Sequence, residues 1–245
     1  MSTLQQQVQA SLYRVNERIS AAARAVSRDP ASVTLLAVSK TFGADAVTAA
    51  AHGGQRDFGE NYVQEGVDKI EQIRRRAETD PALTGLRWHF IGPLQSNKTR
   101  PVAECFDWVQ SVDRLKIAER LSAQRPATMA PLNVLLQVNI SGEATKSGAT
   151  PAELPALAAA VAALPRLSLR GLMAIPEPED DPARQRAPLA ALRVLFDDLR
   201  SRGFALDTLS MGMSADLESA VAEGATLVRI GTAIFGARTA ATLPA

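Results

Sequence analysis

Eight alternations of a short apolar run with a helical stretch constrain this chain more than any other feature. A helix over residues 4–26 comes first, with Leu4, Val8, Leu12, Val15 and Ile19 at helical spacing and Asp29-Pro30 as its stop. Residues 33–39 (Val-Thr-Leu-Leu-Ala-Val-Ser) then form the kind of run that a strand buried on both faces needs. Residues 44–51 read as a helix closed by Gly53-Gly54, and residues 57–59 as a weak second strand. The next helix, 62–76, sets Val63, Val67, Ile70 and Ile73 on one face. Strands three and four are expected at 88–91 and 107–111, with helices at 96–105 and 113–123, Asp113 being the N-cap of the second.

The second half repeats the rhythm. Residues 132–140 are the strongest strand, and Pro151 is placed to open an alanine-rich helix over 151–164. Strands at 168–174, 208–211 and 227–230 follow, with helices at 184–202 and 214–223 and a short one after strand eight. Eight strand-then-helix units predict an α/β fold, a single compact TIM (β/α)8 barrel with an extra N-terminal helix. The expected layout is one domain over 1–245: leading helix 1–28, barrel 33–238 and a short tail 239–245. An open doubly wound sheet is the runner-up, disfavoured because no Gly-x-Gly-x-x-Gly follows the first strand.

Composition narrows the function. With 27 basic and 26 acidic residues, nothing points to nucleic acid or an anionic membrane as partner. No apolar run reaches the ~18 residues that a membrane span needs, and the polar N-terminus has no secretory apolar region. One cysteine and two histidines leave little scope for a disulfide framework or a metal centre. A cytoplasmic protein without metal is therefore expected. Five lysines stand among the 27 basic residues, and lysine does covalent chemistry that arginine does not.

A barrel of this type places its chemistry at the C-terminal ends of the strands. There Lys40 directly follows strand one. Its apolar surroundings would favour the neutral amine, which attacks aldehydes; a lysine snorkelling into water fits the position equally well. The loops after strands seven and eight offer Gly212, Ser214, Gly231 and Thr232, which suit a phosphate at two helix N-termini but also suit ordinary capping. A lysine facing such a cradle points to pyridoxal 5'-phosphate. Arg229, at the end of strand eight, could then meet the pyridine nitrogen, or be a structural arginine paired with a carboxylate.

Several motifs carry a family resemblance. Ala37-Val38-Ser39-Lys40, Phe58-Gly59-Glu60-Asn61-Tyr62-Val63-Gln64-Glu65 and Trp88-His89-Phe90-Ile91-Gly92-Pro93-Leu94-Gln95-Ser96-Asn97-Lys98 resemble the pyridoxal phosphate homeostasis protein family, as do Lys146-Ser147-Gly148, Ser210-Met211-Gly212-Met213-Ser214-Ala215-Asp216-Leu217 and the stretch from Arg229 to Arg238. The resemblance implies a barrel similar to the N-terminal domain of alanine racemase, with Lys40 binding the cofactor as an internal aldimine. It also implies Ser214, Gly231 and Thr232 as phosphate ligands, Arg229 as the partner of the pyridine nitrogen, and Asn61 and His89 as residues lining the ring. Lys146 becomes a candidate auxiliary site or a plain loop lysine, while residues 239–245 contain no lysine for a second contact.

The family implies a non-catalytic keeper of pyridoxal phosphate, which hands the cofactor to apo-forms of the enzymes that use it. An amino acid racemase is the alternative. It would need a second domain and a tyrosine base, and the ten residues after Phe235 contain no tyrosine. A Schiff-base aldolase is weaker still, because strand six carries Met173 where such enzymes place lysine. No catalytic residue is assigned, and a monomer is expected.

Overall fold

The computed structural model describes residues 3–142 and 147–237. Lys146 and the 239–245 tail lie outside the described residues. Helix α1 (Thr3–Ala25) leads, followed by β1 (Thr34–Val38), α2 (Ala44–His52), β2 (Asp57–Glu60), α3 (Val63–Ala77), β3 (Arg87–Phe90), α4 (Thr99–Cys105), β4 (Trp108–Val112) and α5 (Leu115–Gln124). The chain continues through β5 (Leu132–Gln137), α6 (Leu154–Ala162), β6 (Leu167–Met173), α7 (Pro182–Ser201), β7 (Thr208–Ser210), α8 (Leu217–Ala222), β8 (Leu227–Ile230) and α9 (Thr232–Phe235). The strands run parallel in the order β1 to β8 and close on themselves, Leu36 of β1 standing opposite Arg229 of β8. The expected barrel is the observed one, and α1 is the extra helix.

Each strand divides its side chains by parity. Leu35, Ala37, Phe58, Phe90, Val134, Leu136, Val228 and Ile230 join one apolar cluster with Ile70, Val102, Leu121 and Leu192 of the surrounding helices. The alternate residues, among them Leu36, His89, Gln110, Ser210 and Arg229, are buried and belong to no such cluster. The inside of this barrel thus holds a polar group beside Leu36, Leu135 and Met173, where branched apolar side chains dominate most barrels. Helix α1 contacts α2, α8 and α9, the helices beside the seam where β1 meets β8.

The expected starts of α5, α6 and α8 move for reasons visible in their caps. Helix α5 begins at Leu115 with Arg114 as N-cap, because Asp113 stands one residue too early and pairs with the Arg114 guanidinium. Helix α6 begins at Leu154 with Pro155 in its first turn; Pro151 lies in the preceding turn, where Thr150 and Glu153 bond each other reciprocally. Helix α8 begins at Leu217 with Asp216 as N-cap, so Ser214 sits in a turn ahead of the helix. There Asp216 Oδ1 accepts from Met213 N–H at 2.6 Å and holds the turn closed. Among the described residues, no helix is long and apolar enough to cross a membrane.

Candidate functional site

The chain leaves β1 through a tight turn. Phe42 N–H donates to Ser39 C=O at 3.0 Å, so Lys40 and Thr41 are the two central residues. Thr41 has φ +69°, the left-handed value that this position of a type II turn demands and that glycine or asparagine normally supplies. A β-branched residue held there costs about 1–3 kcal/mol. Lys40 therefore stands at the corner of a strained turn, half-buried.

The end of β8 lies against this corner. A Cβ on Gly231 would come within 3.1 Å of Val38 C=O, so the two strand ends approach backbone to backbone. Gly231 is the N-cap of α9, Thr232 its first residue, and the Phe235 ring of α9 packs 5.3 Å from the Phe42 ring. Beside them Gly212, at φ +95°, turns the chain out of β7 toward Ser214; a Cβ there would collide with Ala220 at 2.4 Å. Arg18 of α1 reaches over, donating to Ser214 C=O at 2.8 Å while its fork grips Glu218.

Arg229 is buried just inside the same rim. Its Nη1 donates to Ser210 Oγ at 2.7 Å and its Nη2 to Ala174 C=O at 2.8 Å, and burial pushes its pKa down to about 10. Among the described residues it is hydrogen-bonded to no carboxylate. Asn61 follows β2 on this face, and its carbonyl packs so closely on Gly92 that a Cβ there would stand 2.1 Å away. An open cleft of about 1200 Å³ extends outward from Asn61, lined also by Thr41, Phe42, Tyr62, Gln95 and Lys98.

His89, on β3, faces into the barrel. It is 1% exposed inside the barrel, stacked on Trp108, with both ring nitrogens engaged by protein groups. Asp57 Oδ1 lies 3.1 Å from Nε2, and Gln110 Nε2 lies 3.0 Å from Nδ1. Burial lowers the pKa of His89 against the opposing pull of Asp57, so the ring is neutral. A carboxylate accepts, so the single ring proton sits on Nε2 and Nδ1 takes the amide proton of Gln110. The Gln110 oxygen in turn accepts from Ser210 Oγ at 2.7 Å, and Ser210 accepts from Arg229. One chain of hydrogen bonds, all pointing the same way, thus runs from Arg229 through Ser210, Gln110 and His89 to Asp57, which Arg87 also grips. Gln110 lies in none of the motifs, and only its inward place on β4 marks it; Ser210 opens a motif, but nothing in the sequence ties it to Gln110 and Arg229.

Sequence reasoning also missed a buried cluster beneath Lys40. Lys69 Nζ, on α3, lies 2.8 Å from Ser39 C=O, 2.7 Å from Glu60 Oε1 and 2.9 Å from Glu65 Oε1. Ser39 Oγ donates to Glu60 Oε1 at 2.5 Å, and Thr41 N–H donates to Glu65 Oε1 at 2.6 Å. Burial raises the pKa of Glu60, and the Lys69 ammonium opposes that rise. The available signal was periodicity: Lys69 falls on the buried stripe of α3 with Gly66, Ile70 and Ile73.

Residues 11–239 match the family model described as alanine racemase, N-terminal domain. The chain is 61% identical over 228 residues to the pyridoxal phosphate homeostasis protein of Pseudomonas aeruginosa, covering 93% of this chain and 94% of that one. It belongs to the pyridoxal phosphate homeostasis protein family. A second member of the family, from Escherichia coli K12, is 59% identical over 93% of this chain and 95% of its own length. Among solved structures, PipY of Synechococcus elongatus with PLP bound superposes with a TM-score of 0.79 at 36% identity, covering 94% of this chain and all of that one. Alanine racemase of Corynebacterium glutamicum shares the fold, with a TM-score of 0.63 at 16% identity. This family member covers 89% of its own length there and 60% of the racemase.

Proposed function

We propose that this protein binds pyridoxal 5'-phosphate at the rim formed by β1, β7 and β8 and serves pyridoxal phosphate homeostasis without catalysis. The group supplies an aldehyde, a phosphate dianion and a pyridine nitrogen. The donor set at the rim fits all three. Lys40 would hold the aldehyde carbon through Nζ. Ser214, Thr232 and the backbone N–H groups opening α9 would hold the phosphate, close to the gap that Gly231 leaves. Asn61, on the side of β2, would border the ring.

The observation that carries the non-catalytic reading is Arg229. It is buried, it carries donors only, and Ser210 and Ala174 engage two of its five N–H groups. Such a guanidinium suits an unprotonated pyridine nitrogen and repels a protonated one, which leaves the ring a weak electron sink. Of the two tyrosines, only Tyr62 lies near the proposed site, lining the cleft beside Asn61. Tyr62 is the N-cap of α3 at 38% exposure, and Tyr13 is exposed on α1. His89, with both nitrogens engaged, would support Arg229 through Gln110 and Ser210 and would make no ring contact of its own.

The same reading takes the protein to be a cytoplasmic monomer that supplies apo-forms of pyridoxal phosphate enzymes. The deciding experiment is the absorbance spectrum of the purified protein after incubation with the cofactor. A visible band is expected in the wild type and absent in Lys40→Ala. No such band in the wild type overturns the proposal.

A further inference from the structure

The cluster around Lys69 does something more specific than fill the gap between α3 and the barrel. Its hydrogen bonds go to the two residues that flank Lys40. The Ser39 carbonyl accepts from Lys69, its hydroxyl donates to Glu60, and the Thr41 amide donates to Glu65. Lys69 itself lies 2.7 Å from Glu60 and 2.9 Å from Glu65, so its three donors are fully used and one cation ties both carboxylates together. Ser39 and Glu60 are fully buried, and Lys69 is 3% exposed. Burying such charges is costly and does not by itself favour folding over an apolar filling.

What the cluster holds is a turn that would otherwise relax. Thr41 sits at φ +69°, which a threonine avoids, and its buried hydroxyl has no hydrogen-bond partner among the described residues. Released from Glu65 and Lys69, the Thr41 backbone would swing to negative φ and carry Lys40 with it. We propose that Lys69, Glu60 and Glu65 form a clamp on the Ser39–Phe42 turn, and that they are positioning residues which aim the Lys40 amine. The proposal rests on the cofactor reading above and adds the residues that make Lys40 reactive toward the aldehyde.

The test is the rate at which Lys40 is labelled by pyridoxal 5'-phosphate, trapped with borohydride and read by peptide mass. Lys69→Met removes the centre of the clamp. Glu65→Ala, on its half-exposed side, breaks the Thr41 contact without leaving a buried charge unpaired. Labelling about tenfold slower is expected in both, well within the loss that a 1 Å misplacement brings. Thr41→Gly in the Glu65→Ala background removes the side chain that resists positive φ and is expected to restore the wild-type rate. Should Lys69→Met fail to fold, the Glu65 pair decides alone. Equal labelling in wild type and Glu65→Ala, or slow labelling that Thr41→Gly leaves uncorrected, overturns the clamp while the cofactor reading stands. A wild-type Lys40 that takes no label overturns both.

Discussion

Gln110 Nε2 stands 3.0 Å from His89 Nδ1 in the middle of the barrel, where the amide donates and the imidazole accepts. Because Asp57 receives the proton on the other nitrogen, the neutral Nε2–H tautomer is fixed by its neighbours on both sides. Nitrogen NMR of the imidazole is expected to report that tautomer and no charging at the ordinary histidine pKa of 6.5. Gln110→Glu replaces the donor with an acceptor and is expected to raise the His89 pKa. A ring that titrates normally in the wild type would refute this account of the barrel interior.

Breaking the chain should cost stability. Gln110→Leu leaves His89 Nδ1 and the Ser210 hydroxyl buried without their partner. Each orphaned group costs about 1–3 kcal/mol, so urea denaturation is expected to show a loss of a few kcal/mol. Ser210 also supports Arg229, so bound cofactor should be lost in parallel. A variant as stable as the wild type would show the bonds to be dispensable.

Acid should weaken the fold in two steps. His89 is held neutral by burial, with its pKa below 6.5, so the stability it contributes is complete above 6.5 and is lost as pH falls below that value. Asp57 is pushed up by burial, but the hydrogen bonds from His89 and Arg87 outweigh this and leave its pKa below 3.8. Its contribution is complete above 3.8 and disappears only in stronger acid. Between about pH 7 and about pH 5, Tm is expected to fall further in the wild type than in His89→Asn, which has no ring to charge. Parallel curves would contradict the first step.

Gly92 offers a steric test. A Cβ there meets the Asn61 carbonyl at 2.1 Å, a backbone atom that has no room to yield, whereas a Cβ on Gly43 meets nothing within 4 Å. Gly92→Ala is expected to destabilise by about 2 kcal/mol or more and to displace Asn61, while Gly43→Ala should cost less than about 1 kcal/mol. Thermal melts of the two variants, each with and without cofactor, check both statements.

The non-catalytic reading predicts silence in a sensitive assay. Holo-protein incubated with single-enantiomer amino acids in heavy water is expected to leave the α-carbon proton in place, because the proposed contact of Arg229 with the pyridine nitrogen would give a carbanion little support. Deuterium incorporated at an enzyme-like rate would restore the racemase alternative.

The barrel was legible because each strand is a compact apolar run and each helix has a periodic face, signals that depend on near neighbours alone. The places of Lys40, Arg229, Gly231 and Thr232 around the ends of β1 and β8 were legible because a strand end is a position in the sequence as well as in space. Helix starts slipped where a side chain found another partner: Asp113 turned to Arg114, and Asp216 closed a turn that left Ser214 outside α8. His89 was expected to line the ring from its family motif; its parity turns it into the barrel, where Asp57 and Gln110 engage its nitrogens, a network that no local signal reveals. Lys69 looked like one more charge on a polar helix, since nothing local reveals that Glu60 and the Ser39 carbonyl wait above it.

The seam between β1 and β8 has a consequence for timing. Lys40 belongs to the first strand and Arg229, Gly231 and Thr232 to the last, so the two halves of the proposed cofactor site are separated by almost the whole chain. A ribosome must release the eighth strand before any of these groups can meet, and pairings so distant in sequence form late. An unfinished or opened chain would therefore bring only half of the proposed grip to the cofactor. Cofactor bound across the sealed ring would act as a latch, with its free concentration setting how firmly the seam stays shut.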